Sequence, residues 1–316
     1  KDTLQLLSSL PFRRPWPILD PLALTLRNVD LEKPQELTEV MDALSRMRYD
    51  DVKLLDAIEI QVERSLGQQR LHEAQACTML EAFGTLGYHG RTGSLISKLL
   101  DRIGQASSLM PHSGVSLTHG LALLRTEPQE PLSLVKIPDL IAASGLPLEL
   151  ADVAILLWSF VELGCAEAAI KIIQSLPQDM AEQCVTADIT TLTLTLWSLL
   201  ALRAYDVPLL GPLLHSVAAL ASGVQKPSQL CRLAECMLMM QLEKPAELNL
   251  QLPGDLCMRA QMAWQQSYTA IQQSEAPSQQ LTEISQALDG LQLPHRVKVF
   301  NTYPIGKTQH HLPTTT

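Results

Sequence analysis

The stretch that decides the fold is Asp42-Ala43-Leu44-Ser45-Arg46-Met47-Arg48-Tyr49-Asp50, set above Glu81-Ala82-Phe83-Gly84-Thr85-Leu86-Gly87-Tyr88-His89. The apolar positions coincide at an offset of 39 residues, and Tyr49 falls on Tyr88. The same offset of 39 relates Trp158-Ser159-Phe160-Val161-Glu162-Leu163-Gly164-Cys165 to Trp197-Ser198-Leu199-Leu200-Ala201-Leu202-Arg203-Ala204, with Trp on Trp and Ser on Ser. Gly120-Leu121-Ala122-Leu123-Leu124-Arg125 fits between these pairs, and Cys236-Met237-Leu238-Met239-Met240-Gln241 fits beyond them. The anchors are then Met47, Leu86, Leu124, Leu163, Leu202 and Met240.

A fixed period of this length is the mark of a helical array. Each unit reads as a helix, a short turn and a second helix. In the second unit, Arg70 to Leu86 is the first helix and Gly87-Tyr88-His89-Gly90 the turn. Leu95, Ile96, Leu99, Leu100 and Ile103 then keep helical spacing on one face. Gly87 stands where a left-handed residue ends a helix. In the fourth unit, Leu163-Gly164 ends the first helix, Ile170, Ile172, Ile173 and Leu176 supply the second, and Pro177 stops it. One hairpin of this size cannot bury its apolar face alone; stacked neighbours bury it for one another. The expected fold is therefore all-α, an α-solenoid of hairpins over residues 34–275. Residues 1–33, crowded with Pro11, Pro15, Pro17 and Pro21, read as a proline-rich arm or a degenerate first repeat. Thr126 to Pro131 reads as an enlarged turn. A small α+β-like extension at 276–307 and a polar tail at 308–316 follow.

Composition agrees with helix on helix. Hydrophobic residues make up 46% but aromatics only 4%, so the apolar content rests on aliphatic side chains, many of them helix formers. The net charge of −9, with only 24 Lys and Arg in 316 residues, argues against a free sequence reader wrapped around a long RNA. Any RNA contact must come from a local basic surface. Cys77, Cys165, Cys184, Cys231, Cys236 and Cys257 form no Cys-x-x-Cys pair and sit mostly in apolar stretches, which suits reduced, buried thiols and no metal. No stretch has the ~18 apolar residues needed to span a membrane. The richest, Ile189 to Leu202, is interrupted by Thr190, Thr191, Thr193, Thr195 and Ser198. The chain starts at Lys1, as a mature form or one whose beginning is missing would. Walker, Gly-x-Ser-x-Gly, His-Glu-x-x-His and Rossmann patterns are lacking. The expectation is a non-enzymatic protein with no cofactor and no small-molecule substrate.

Trp158-Ser159-Phe160-Val161-Glu162-Leu163-Gly164 and Ala82-Phe83-Gly84-Thr85-Leu86-Gly87-Tyr88 resemble the first-helix endings of organelle helical-repeat proteins of the FAST-kinase-like, heptatricopeptide and octotricopeptide type. The likeness runs from about Pro34 to Met240. Ser278-Gln279-Gln280-Leu281-Thr282-Glu283-Ile284, then Leu288, Leu291 and Leu293, then Val297-Lys298-Val299-Phe300 and Tyr303-Pro304-Ile305, resemble the opening of a RAP domain. Gly306 stands where such a domain has an acidic residue, so this reads as a truncated RAP-like segment without its activity. The resemblance implies an RNA-associated protein of the mitochondrial matrix rather than the plastid. The role it implies is a structural component of a mitochondrial ribosome, touching ribosomal RNA and other proteins of the assembly. The competing expectation is a protein–protein scaffold in another large organelle assembly, without RNA.

Candidate RNA contacts are Arg13, Arg14, Arg46, Arg48, Arg91, Arg125, Arg296 and Lys298. Arg13-Arg14 lies between Phe12 and Trp16, a pairing of phosphate contact and stacking surface. It is equally the composition of a solvated proline-rich arm. Arg46 and Arg48 flank a predicted turn beside Tyr49, where a rim could meet phosphate or simply water. Trp158 and Trp197 occupy equivalent positions and suit packing between hairpins better than base stacking. Asp50-Asp51 suits helix capping better than acid–base work.

Overall fold

In a computed structural model, the structure describes residues 16–31, 33–91, 93–126, 128, 132–177, 179–220, 223–243 and 253–274. All regular structure among them is helical. The order is α1 (Trp16–Arg27), α2 (Pro34–Met47), α3 (Val52–Gly67), α4 (Glu73–Leu86), α5 (Ser94–Ile103) and α6 (Pro111–Leu124). A 3-10 turn (Leu134–Lys136) leads into α7 (Ile137–Ala142), α8 (Leu150–Glu162), α9 (Ala166–Gln174) and α10 (Met180–Thr186). Then come α11 (Ile189–Ala201), α12 (Leu210–Ala219), α13 (Pro227–Glu243) and α14 (Gly254–Ser274). The chain forms two compact units, residues 1–183 and 184–316. The RAP-like segment and the polar tail lie outside the described residues.

In the first unit, α2, α4, α6 and α8 pack side by side as one layer, while α1, α3 and α5 pack on one another as a second. The core lies between them. Leu37, Met41 and Leu44 on α2, Leu54, Leu55 and Ile58 on α3, and Met79, Leu80 and Phe83 on α4 are fully buried. Each large side chain so buried stabilises by ~1.5–3 kcal/mol relative to exposure. The closest approach is between α4 and α6. A Cβ on Gly84 would lie 2.8 Å from the Gly120 carbonyl oxygen, and one on Gly120 would lie 2.8 Å from the Leu80 carbonyl and the Glu81 nitrogen. These helices meet backbone to backbone, which only glycine permits.

The first-layer helices end in a shared way. Arg48, Gly87, Arg125 and Gly164 follow or close them in the left-handed conformation, with φ of 50°, 65°, 51° and 68°. The next residue donates its N–H to the carbonyl five positions earlier: Tyr49 to Leu44 at 3.0 Å, Tyr88 to Phe83 at 2.9 Å, Thr126 to Leu121 at 3.0 Å and Cys165 to Phe160 at 2.9 Å. This is the bond that satisfies the orphan carbonyls of a helix C-terminus. In the second unit Arg203, at φ 55°, closes α11 likewise, with Ala204 donating to Leu199 at 2.9 Å.

Glycine adopts that conformation freely, whereas an L side chain there costs about 1 kcal/mol or more. An arginine near a helix C-terminus recovers ~0.3–1 kcal/mol from the helix dipole. We therefore expect Arg125→Gly to leave the urea midpoint unchanged or to raise stability by up to ~1 kcal/mol. A clear loss would show that the Arg125 side chain contributes to the fold.

The first two of these turns are also tied to the second layer. The Tyr49 hydroxyl donates to Asp20 Oδ1 at 2.9 Å, and burial together with that carboxylate pushes the phenol up to about 12. Tyr88 donates to Asp56 Oδ1 at 2.8 Å and to Glu59, which is 2% exposed and also accepts the Arg91 N–H at 2.9 Å. Asp51 caps α3 through the Leu54 N–H at 2.7 Å and accepts both contacts of Arg27, at 2.6 and 2.7 Å.

Several boundaries differ from the sequence expectation. Helix α4 begins at Glu73, not Arg70, because His72 and Gln75 form a reciprocal cap around its first turn. Ile170 is 47% exposed, because α9 is short and buries Ala168, Ala169 and Ile172 instead. In the second unit the hydroxyls of α11 do not interrupt burial. Thr193, Thr195 and Ser198 are fully buried and donate to the carbonyls of Ile189, Thr191 and Leu194 at 2.8, 2.9 and 2.8 Å. A hydroxyl that bonds its own helix carries no unsatisfied group into the core.

Candidate functional site

The first-layer helices run in the same direction. Gln75 near the start of α4 reaches Gln35 near the start of α2 at 3.3 Å, and His119 late in α6 meets Glu81 late in α4 at 2.8 Å. Their C-terminal turns therefore share one edge of the 1–183 unit. Arg48 and Arg125 occupy two of those turns, and Arg91 lies between α4 and α5 in a third. All three side chains are exposed. Among the described residues no carboxylate pairs with any of the three guanidinium groups. Several other described cations are held, Arg27 by Asp51, Arg64 by Asp30, Lys98 by Glu63, Arg102 by Glu73 and Lys171 by Asp139, while the exposed Arg70 and Lys226 likewise have no carboxylate partner among the described residues. Lys53, exposed in the first turn of α3, joins the same edge, and Asp50 is the exposed acid beside it. Sequence reading passed over Lys53, which only the turn geometry aligns with the arginines.

Arg46 stands apart from this row. It lies one helical turn inward and is engaged by Asp42, at 3.1 Å and 2.8 Å. Both line a shallow open groove between α2 and α4, with Ser45, Thr78, Glu81 and Thr85. The groove continues into a self-paired row. Glu81 accepts from His119 Nδ1 at 2.8 Å, and the His119 ring meets the edge of Trp158 on α8 at 5.6 Å between centroids. Burial pushes the Glu81 carboxyl up, but hydrogen bonds from His119 and Ser116 outweigh it and hold it below the usual range. Contacts of this kind use up the polar groups along the face. Arg13, Arg14, Arg296 and Lys298 lie outside the described residues.

In the second unit Trp197 is buried and its indole N–H bonds Glu235 on α13. Burial raises the Glu235 pKa, and the Trp197 bond and Arg232 only partly counter it. A raised folded value means stability that is present below the ordinary carboxylate range and lost as pH rises through the folded pKa. Glu235→Gln keeps an acceptor for the indole and removes that loss. We expect it to raise the melting temperature at neutral pH and leave it nearly unchanged near pH 4; an equal change at both would contradict the assignment.

Among the described residues no group of three or more His, Cys, Asp and Glu side chains is placed to hold a metal ion, and no helix is long and apolar enough to cross a membrane. No protein-family model matches the chain, and no curated protein matches it.

Proposed function

We propose that the chain is a non-enzymatic, RNA-associated helical-repeat protein, an α-solenoid with a period of about 39 residues. In this reading it is a structural component of a mitochondrial ribosome, contacting ribosomal RNA and neighbouring proteins. The observation that carries the reading is the row of Arg48, Arg91 and Arg125 on one edge, exposed and without carboxylate partners on a chain of net charge −9. An acidic chain here gathers three arginines on one edge, two of them at left-handed backbone positions. The period is supported by the left-handed residues at 48, 87, 125, 164 and 203, each closing a helix by the same backbone bond. The organelle and the truncated RAP-like segment at 276–307 rest on the resemblance of the sequence motifs.

Purification of the tagged chain from native mitochondria tests this. Co-sedimentation with ribosomal RNA that is lost on nuclease treatment supports the reading. A complex free of RNA favours the alternative, a protein scaffold in another organelle assembly. One feature speaks for that alternative: Met258 and Met262, 60% and 53% exposed, stand one helical turn apart on α14, where soft side chains suit protein contact.

A further inference from the structure

We infer that the turn edge of the 1–183 unit, through Arg48, Arg91 and Arg125, binds the phosphodiester backbone of RNA without reading its bases. The inference rests on the RNA-associated reading above and adds which surface binds and what it recognises.

Three observations lead there. The first is conformation. Gly87 and Gly164 show what residue these turns accept at no cost, yet Arg48 and Arg125 hold the same left-handed backbone. Both non-glycine residues at these first-layer turns are arginines, although the neutral Gln69 takes the same conformation after α3 at φ 53°, so the backbone itself does not call for a cation there. The second is availability. The guanidinium groups of Arg48, Arg91 and Arg125 have no carboxylate partner among the described residues, while Arg46 on the neighbouring face is engaged by Asp42. The third is the kind of group presented. Guanidinium forks match phosphate oxygens and carry no sequence information at the backbone. The face that could hold bases instead has its polar groups joined to one another, as Glu81 to His119 and His119 to Trp158.

Helix C-termini repel anions within their last turn. In the last turns of α2, α4 and α6 the carbonyls of Leu44, Phe83 and Leu121 are occupied by the backbone bonds from Tyr49, Tyr88 and Thr126, and the arginines beyond them supply the positive charge of the edge. Lys53 adds to it and Asp50 subtracts from it. Adjacent packed helices lie ~8–10 Å apart, so Arg48 and Arg125, two helices apart, are separated by roughly 16–20 Å. At ~3.4 Å per residue of a stacked strand, that is about five nucleotides.

The experiment measures binding of the full chain to fluorescent single-stranded oligonucleotides of poly(U) and poly(A), 4 to 20 nucleotides long, across a salt series. The variants are Arg48→Gly, Arg91→Ala and Arg125→Gly, singly and together, with Arg70→Ala as a control away from the edge. Glycine is the residue the left-handed turns accept, so charge is removed without unfolding, which circular dichroism checks. The expected result is binding that differs by less than about threefold between the two polymers and rises steeply up to ~5 nucleotides. The triple variant should lose tenfold or more in affinity, and its salt slope should fall by roughly 2, at ~0.7 per phosphate contact on a single strand. If wild type binds RNA but the triple variant binds equally well, the edge is not the site and the general reading survives. A strong preference for one polymer overturns the backbone assignment in the same way. If wild type binds no RNA even at low salt, the RNA-associated reading itself fails and this inference fails with it.

Discussion

Phe83→Ala is expected to destabilise the 1–183 unit by about 3–5 kcal/mol, the range for truncating a fully buried phenylalanine. Phe83 is 0% exposed in the middle of the first layer, and its ring lies 5.5 Å from that of Tyr88. Its carbonyl also receives the Tyr88 N–H that closes α4, so the ring and the cap are fixed together. Truncation removes apolar contact and leaves a cavity bounded by helix backbones that cannot collapse freely. It also loosens the ring against which Tyr88 packs while donating to Asp56 and the buried Glu59. Chemical denaturation read by circular dichroism is the check. A loss under about 1 kcal/mol would mean that the site relaxes, and that the first layer is less tightly packed than the burial implies. Phe83→Leu, which keeps most of the volume, should recover much of the difference.

Gly120→Ala is the smaller substitution with a comparable reach. An alanine is ordinarily favoured inside a helix by up to ~1 kcal/mol over glycine. Here the added carbon would stand 2.8 Å from the Leu80 carbonyl and the Glu81 nitrogen, both backbone atoms. No rotamer change relieves that contact, so α6 must move away from α4, and the packing of both against their neighbours goes with it. Overpacking of this kind typically costs ~1–3 kcal/mol, and the backbone contact puts this site at the upper end. After the propensity gain, a net loss of about 2 kcal/mol is expected, a fall in melting temperature of roughly 4–8 °C for a unit of this size. Gly211→Ala is the control, since nothing lies within 4 Å of a Cβ there and only the propensity gain remains. Gly114→Ala falls between, because the atoms in the way belong to the Ile141 side chain, Cδ1 at 2.4 Å and Cγ1 at 2.6 Å, rather than to backbone. If Gly120→Ala and Gly211→Ala behave alike, the close approach of α4 and α6 is not what holds them in register.

The two substitutions mark where sequence reading stops. Gly84 and Gly120 look like ordinary weak points in helices, and nothing local says that each faces the other's backbone. Glu59 is an unremarkable helix residue until Tyr88 and the Arg91 amide, about thirty residues away in sequence, converge on it. Arg48 and Arg125 could be recognised as turn arginines but not as left-handed ones, because arginine is no signal for that conformation. The threonines of α11 read as a break in an apolar run, since their back-bonds to the preceding turn are invisible in composition.

What the sequence determined by itself is helical content and where most helices stop. Met47, Leu86 and Leu124 end α2, α4 and α6, and Asp51 caps α3, as the local pattern indicates. Those features depend on residues within one helical turn of each other: an apolar side chain, a cap acceptor, a glycine free to turn left-handed. The tertiary structure decided which helices lie side by side, how close their backbones come, and which cations remain unpaired. Those outcomes depend on contacts between residues some thirty to forty apart, such as His119 with Glu81 and Lys98 with Glu63. The same packing sets Arg48, Arg91 and Arg125 on one edge, whereas the pairing of Arg46 with Asp42 four residues earlier is local to α2.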